Sequence, residues 1–285
     1  MYVERLDAFI RGDSIATVNV RNPFVLRSVE PPIQAIEGRR VESVGHLGKR
    51  IVVEFHGGLF LVIHLMIAGR LRWRPPGKKI GGKLVLASFQ FPRGALFLTE
   101  AGTTRRASMH LVEGHTSLAA FDRGGLDVFG STLEEFTARL RSGNHTLKRS
   151  LTDPSLFSGI GNAYSDEILH RARLSPLQLT SRLSDVQIAA LRDATRATLR
   201  DWTDRLRAET GSGFPEDVTA FRDGMAVHGR YRQPCPVCGA PVQRIVYAEN
   251  EANYCARCQT GGKLLADRSL SRLLKDDWPK SIDDL

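Results

Sequence analysis

"CPVCGAPVQRIVYAENEANYCARCQ", residues 235–259, holds all four cysteines of the chain. Cys235 and Cys238 form one Cys-x-x-Cys pair and Cys255 and Cys258 the other, with sixteen residues between the pairs. That spacing belongs to a four-cysteine zinc ribbon. Each pair turns two thiolates toward one centre, and two pairs complete a tetrahedron around Zn²⁺. The run between them reads as a β-hairpin. Disulfides fit less well: Glu4, Arg5 and Asp7 interrupt any N-terminal apolar run, so no secretory signal is expected. Four cysteines within 24 of 285 residues also differ from a secreted disulfide framework. Four protein ligands close the site, so the expected cofactor is one structural zinc without a hydrolytic role.

Composition narrows the partner. A chain of 285 residues accommodates two domains besides a small ribbon. Its 42 % hydrophobic content supports real cores and excludes wholesale disorder. The longest apolar run, "LFLVIHLMIAG" at 59–69, is too short to span a bilayer. A formal charge of +9 and a pI near 9.7 suit a polyanion. Together with a zinc ribbon, they point to nucleic acid.

The first 125 residues read as β-rich. "KRIVVEF" and "LFLVIHLMI" flank His56-Gly57-Gly58, a hairpin signal, and "KLVLASFQF" and "ALFLTEAG" repeat the arrangement around Pro92-Arg93-Gly94. "SIATVNV" and "FVLRSV" are expected to add strands, and the pattern predicts a sandwich or barrel-like sheet. Val3, Leu6 and Ile10 recur at helical spacing, so a short helix is expected against that sheet. From Ser131 the period changes. Ser131 with Glu134 reads as a capping box. Ser184 with Gln187 opens a longer helix whose buried face is expected to carry Ile188, Leu191, Thr195, Thr198, Trp202 and Leu206. "ETGSGFPEDVTAFRDGM" reads as a Gly-rich loop before the ribbon. In the tail, Leu264, Leu265, Leu270, Leu273 and Leu274 predict a helix packed on the protein's own surface, with a second DNA contact as the alternative.

Between the helical segments lies "LTDPSLFSGIGNAYSDEILHRARLSP", 151–176. Gly159-Ile160-Gly161 before Asn162 lets backbone approach a ligand, and the N–H groups opening the next helix can accept a phosphate. Gly-x-Gly alone is usually just a tight turn. The whole passage, however, resembles the helix–two-turn–helix motif of the formamidopyrimidine-DNA glycosylase and endonuclease VIII family. "VHGRYRQPCPVCGAPVQRIVY…YCARCQ" resembles that family's zinc finger with its lead-in, and "LGKR" and "HLMIAGRL" extend the likeness into the N-terminal half. The resemblance implies a monomeric, cytoplasmic protein, nucleoid-associated in a bacterium, that bends damaged duplex DNA, flips a base out and excises it. Flipping costs a few kcal/mol, least for a damaged base. By resemblance, Asn162 holds a phosphate beside the lesion and Lys49 contacts the backbone there. Arg105 and Arg106 probe the opposite strand, and Ile67, beside Met66, stands at the wedge position.

Three departures bear on the activity. The family's nucleophile is an N-terminal proline followed by a glutamate, whereas this sequence opens Met1-Tyr2-Val3-Glu4. Two expectations follow: a natural start further upstream that carries Pro-Glu, or a variant that binds damage without cutting. A third is a substitute amine, from Met1 or Lys49. In the zinc hairpin the family's phosphate-gripping arginine is replaced by Asn250, which brings no charge and no bidentate fork. After the paired arginines the family's aromatic is replaced by Ala107.

The sequence therefore predicts a multi-domain α+β protein: an N-terminal β-sandwich with a flanking helix (1–125), a central helix–two-turn–helix domain (131–222) and a C-terminal zinc ribbon hairpin with its tail (226–285). Its expected function is a base-excision glycosylase with abasic-site lyase activity on oxidatively damaged bases. The alternatives are a non-catalytic binder of damaged DNA and, less in keeping with the β-rich half, an RNA-binding protein.

Overall fold

The computed structural model describes all residues except 79, 103, 217, 220, 248–249, 268–271, 276–278 and 285; the side chains of Tyr247 and Asn250 also lie outside the description. Two compact units emerge, each built from two stretches of chain: 1–123 with 204–218, and 124–203 with 219–285.

The first unit is an antiparallel sandwich. One sheet orders β1 (Thr17–Val20), β6 (Val85–Phe91), β7 (Gly94–Glu100) and β5 (Gly69–Arg74); the other orders β2 (Val41–Leu47), β3 (Arg50–Phe55), β4 (Leu59–His64) and β8 (Ser108–Glu113). Both hairpins anticipated at 56–58 and 92–94 are present. Gly94 is forced to be small: a Cβ there would meet Arg74 O at 2.4 Å and the Trp73 ring at 2.7 Å. Ile51, Val53, Leu61 and Ile63 from one sheet meet Leu71, Phe89, Leu96 and Leu98 from the other in one buried cluster, and this apolar area is what holds the sheets together. The opposite face of the second sheet also buries Val52, Phe60 and Val62, under Leu118 and Phe121 at and beyond α2 (Gly114–Ala119). Helix α1 (Tyr2–Ile10) buries Leu6 and Ile10, and Asp7 Oδ1 accepts from Val44 N at 3.2 Å.

The strand expected in "FVLRSV" is replaced by a single 3₁₀ turn, Pro23–Val25, with Leu26 making only an isolated bridge to Met109. Asn22 caps the turn through Phe24 N, and proline at its first position favours that conformation. The segment after Thr210 docks on this unit. Phe214 packs against Tyr2, Phe9 and Trp73 with ring centroids 5.9, 5.6 and 6.5 Å away, and Glu216 pairs with Arg72 and Arg74.

In the second unit, α3 (Leu133–Arg141), α4 (Leu147–Thr152), α5 (Asn162–Arg171) and the long α6 (Asp185–Thr210) surround Phe136, Leu140, Leu147, Phe157, Ile168 and Leu191. The capping box lies one residue later than expected: Thr132 Oγ1 accepts from Glu135 N, and Glu135 returns to Thr132 N. Ser131 is instead buried, its hydroxyl donated to Val128 O. Ser184 and Gln187 bond reciprocally as expected, and Ile188, Leu191, Thr195, Thr198, Trp202 and Leu206 are all buried. The hairpin of β9 (Gln243–Tyr247) and β10 (Asn250–Tyr254) leads into α7 (Ala256–Thr260). In the tail Leu264 is buried, but Leu273 and Leu274 are exposed, so the expected packed leucine stripe does not hold there; Leu270 lies outside the described residues. No helix among the described residues is long and apolar enough to cross a membrane.

Candidate metal centre and nucleic-acid interface

The four cysteine Sγ atoms lie within 4.8 Å of one another. Cys235 and Cys258 are 3.9 Å apart, Cys238 and Cys255 3.4 Å. These separations are far beyond a disulfide bond. They match the edge of about 3.8 Å that a tetrahedron with metal–sulfur bonds of about 2.3 Å requires. The backbone builds the two knuckles. Cys235 N donates to Ala240 O and Gly239 N to Cys235 O, with Gly239 at φ 75°, while Cys255 caps α7 and its N–H donates to Gln259 Oε1. Without a cation, burial pushes the Cys255 thiol up to about 11. Burial raises Cys258 as well, so holding these two as thiolates is costly unless a divalent ion stabilises them. The donor set fits one structural Zn²⁺. Its hairpin has only a small core of its own, centred on Val242, Ile245 and Tyr254.

Helix α5 reaches this centre. His170 Nε2 lies 3.3 Å from Cys235 Sγ, and Glu167 accepts from Ala226 N, Val227 N and His228 N at 2.7–2.9 Å. Asp166, fully buried, takes Lys148 Nζ at 2.5 Å and His228 Nδ1 at 2.8 Å, with Asn253 Nδ2 at 3.4 Å. Lys148 also donates to Asn162 O at 2.7 Å. Burial pulls the Lys148 pKa below its ordinary value despite the Asp166 charge. Asn162 opens α5 after Gly161, and its side-chain amide has no partner among the described residues. This polar core ties three elements around the residue singled out for phosphate contact. The sequence reading passed over Asp166, His170 and His228. The signal available was three ionisable groups, Asp166, Glu167 and His170, flanking Ile168 and Leu169 in mid-helix.

In the first unit, strand register brings the other candidates together. Arg50 pairs with His64, and His64 with Ser108. The β2–β3 turn with Lys49, the β4–β5 connection with Ile67 and the β7–β8 loop with Arg105 and Arg106 therefore share one end of the sandwich. Lys49 is exposed on its turn, yet partial desolvation pulls its amine below the usual lysine value. Arg50, His64 and His110 stand nearby. Burial, then Arg50 and Lys49, hold His64 below its ordinary pKa, and burial with Arg50 and Arg27 does the same for His110. These neighbours were not read from sequence, although cross-strand pairing at a period of two could have found His64.

Ile67 is 71 % exposed beside Met66, which holds φ 54°. Gly69 must follow, since a Cβ there would meet Leu65 O at 2.2 Å. Arg105 donates through Nη2 to Lys83 O at 2.6 Å. The base of its loop is fixed by buried Glu100, which accepts from Arg106 N and Ala107 N at 2.9–3.2 Å. Asn250 begins β10 opposite Tyr247; its side chain lies outside the described residues.

Three family descriptions match consecutive stretches: the formamidopyrimidine-DNA glycosylase N-terminal domain over 1–109, its H2TH domain over 129–207, and the zinc finger found in FPG and IleRS over 232–261. The formamidopyrimidine-DNA glycosylase of Solibacter usitatus is 30% identical over 258 residues, 87% of this chain and 92% of its own; that of Thermus thermophilus is 32% identical over 274, covering 90% and 95%. The crystal structure of the MutM (Fpg) protein from Thermus thermophilus superposes with a TM-score of 0.74 at 28% identity, covering 90% of this chain and 96% of that one. Lactococcus lactis Fpg, in complex with DNA containing an abasic site, shares the fold with a TM-score of 0.80 at 22% identity, covering 91% and 97%. The chain belongs to the formamidopyrimidine-DNA glycosylase family, a family of DNA-repair glycosylases with a zinc finger.

Proposed function

We propose that this protein acts on damaged nucleotides in double-stranded DNA, as a base-excision glycosylase with abasic-site lyase activity. The observation that carries the reading is Lys49: an exposed lysine whose amine is partly desolvated and so lowered in pKa, on a turn at the same end of the sandwich as Ile67, Arg105 and Arg106. Desolvation raises the neutral, nucleophilic fraction of such an amine. Its lone pair attacks the sugar C1′, forming an N–C1′ bond as the glycosidic bond breaks and the base leaves with a proton. Loss of the amine proton and opening of the ring at O4′ gives the imine. Removal of a C2′ proton then expels the 3′-phosphate by β-elimination. In this reading Asn162 grips the phosphate beside the lesion, Ile67 fills the vacated stack, Arg105 and Arg106 contact the opposite strand, and Asn250 adds an uncharged contact from the zinc hairpin. The protein works as a monomer on one damaged nucleotide at a time. Support for the partner comes from the solved Lactococcus lactis relatives, whose DNA carries an abasic site or a FAPY-dG lesion.

A second reading, binding of damage without excision, is favoured by one contact. The Glu4 carboxylate is held by Arg207, with Nε 3.1 Å from Oε2, which lowers its pKa and leaves it a poor proton carrier. Borohydride trapping on a duplex with one abasic site separates the two. The lyase reading expects a covalent adduct that peptide mapping assigns to Lys49 and that Lys49→Met abolishes while binding persists. Tight abasic-site binding with no adduct refutes it in favour of the binder.

A further inference from the structure

At the same end of the sandwich, between the close of β1 and the opening of β6, lies a cleft of about 490 Å³ lined by Arg21, Asn22, Pro23, Phe24, Lys83 and Arg105, among others. Register places it there. Val20 pairs with Ala87, Val85 with Thr99, and Gly69 with Glu100, so it adjoins the loop of Arg105 and the connection that carries Ile67.

Two features set this cleft apart from ordinary surface. Phe24 is 76 % exposed, yet it does not sit on a loose loop. Its N–H donates to Asn22 Oδ1 at 3.1 Å, Arg21 N and Asn22 N both donate to Leu86 O, and the adjoining Val25 is buried. A phenyl ring is thus presented to solvent on a fixed turn. Single exposed apolar residues are common, but this one faces a cleft bearing three cations. Arg21, Lys83 and Arg105 make no ion pair with a carboxylate among the described residues, and Arg105 spends one of its five donors on a backbone carbonyl. The loop from 101 to 107, "AGTTRRA", carries no aromatic of its own, and Ala107 is buried.

We infer that this cleft binds a single unpaired nucleotide of DNA, its base stacked on Phe24 and its phosphates held by Arg21, Lys83 and Arg105. An aromatic platform beside unpaired cations is the arrangement that captures single-stranded nucleotides without reading their sequence. The inference rests on the DNA reading above and extends it. The nucleotide that best fits is the one left without a partner when its opposite number is lost or flipped out, which the neighbouring Ile67 and Arg105 would separate from the stack.

The test uses the full chain and three oligonucleotide probes: a duplex with 2-aminopurine opposite an abasic site, the same duplex fully paired, and oligo-dT. Bound 2-aminopurine in the first probe should be dimmer with the parent than with Phe24→Ala, because only the parent offers the unstacked base a ring face. Phe24→Ala should also weaken binding of the first probe and of oligo-dT by about 5- to 150-fold, the range for losing one stacked base, while the paired duplex binds as before. Phe24→Trp should restore both. The ring is exposed, so the melting temperature of Phe24→Ala should match the parent, which guards against a folding artefact. Equal binding of all three probes by parent and Phe24→Ala overturns the inference, as does uniform weakening across them. A parent that prefers the abasic duplex with no effect of Phe24→Ala sinks the cleft but keeps the lesion reading. A parent without that preference whose oligo-dT binding still depends on Phe24 does the reverse. A parent that binds none of the probes removes both.

Discussion

Removing Asp166 should damage the second unit more than any surface charge change. Its carboxylate is fully buried and takes both Lys148, whose side chain is 12 % exposed, and His228, 5 % exposed. Asp166→Ala leaves the Lys148 ammonium in the interior with no anion in contact, and breaking a buried pair from one side costs about 3–5 kcal/mol. The unit spans 124–203 and 219–285, a size at which each kcal/mol moves the melting temperature by about 2–4 °C, so the drop should be about 6–20 °C. Calorimetry at saturating zinc reads this directly. The double variant Lys148→Met with Asp166→Leu removes both charges and replaces them with apolar volume, so it should recover most of the loss. pH supplies an independent reading. The folded Lys148 pKa lies below its unfolded value, so between the two the unfolded chain holds more protons and stability rises with pH. Below the folded pKa the burial penalty is fully present, and it is relieved as pH climbs toward 10.5. The parent should therefore gain on Lys148→Met across that alkaline window. A cost below about 1 kcal/mol for Asp166→Ala, or a double variant that costs the sum of the singles, would refute the reasoning.

Other outcomes follow from the same geometry. If Lys49 is the trapped amine, the trapping rate should rise about tenfold per pH unit and level off below 10.5, since partial desolvation lowers its pKa; a pH-independent rate counts against it. His170→Phe removes the imidazole beside Cys235 Sγ, and zinc transfer to a chromophoric chelator should quicken by about tenfold or more, as for other lost outer-shell donors. Stripping the zinc should abolish hydrogen-exchange protection in β9 and β10 while the sandwich keeps its own, because the hairpin core is small. Phe214→Ala should lower the stability of the first unit by about 2 kcal/mol, below the full cost of a buried phenylalanine because the ring is half-buried. It should also shift the emission of Trp73, whose ring it touches.

The parts of this fold that were legible in the sequence are those governed by local rules. The hairpins at 56–58 and 92–94, the reciprocal cap of Ser184 and Gln187, and the four cysteines each depend on a few adjacent residues, and each is found as expected. The failures have physical causes. "FVLRSV" has strand-like composition, but Pro23 and the Asn22 cap select a turn. Ser131 and Thr132 can both cap a helix, and burial of Ser131 against Val128 O leaves the role to Thr132. The polar core of α5 was illegible because its partners, Lys148, His228 and Asn253, come from distant parts of the chain. Lys49 was found through family likeness alone; the partial desolvation of its amine and its place beside Arg50 and His64 are properties of the folded sheet.

Both units are discontinuous, and they interleave along the chain. A ribosome delivers the sandwich strands first, yet Phe214 and Glu216, which complete the aromatic cluster and the Arg72–Arg74 pairing, emerge only after α6 has been made. The last cysteine follows more than forty residues later still. No single cleavage can release either unit whole: a cut near residue 123 strips the first of its closing segment, and a cut near 218 deprives the second of its zinc. Synthesis and proteolytic quality control therefore meet this protein as one indivisible object, whose early half waits on its late half to be finished.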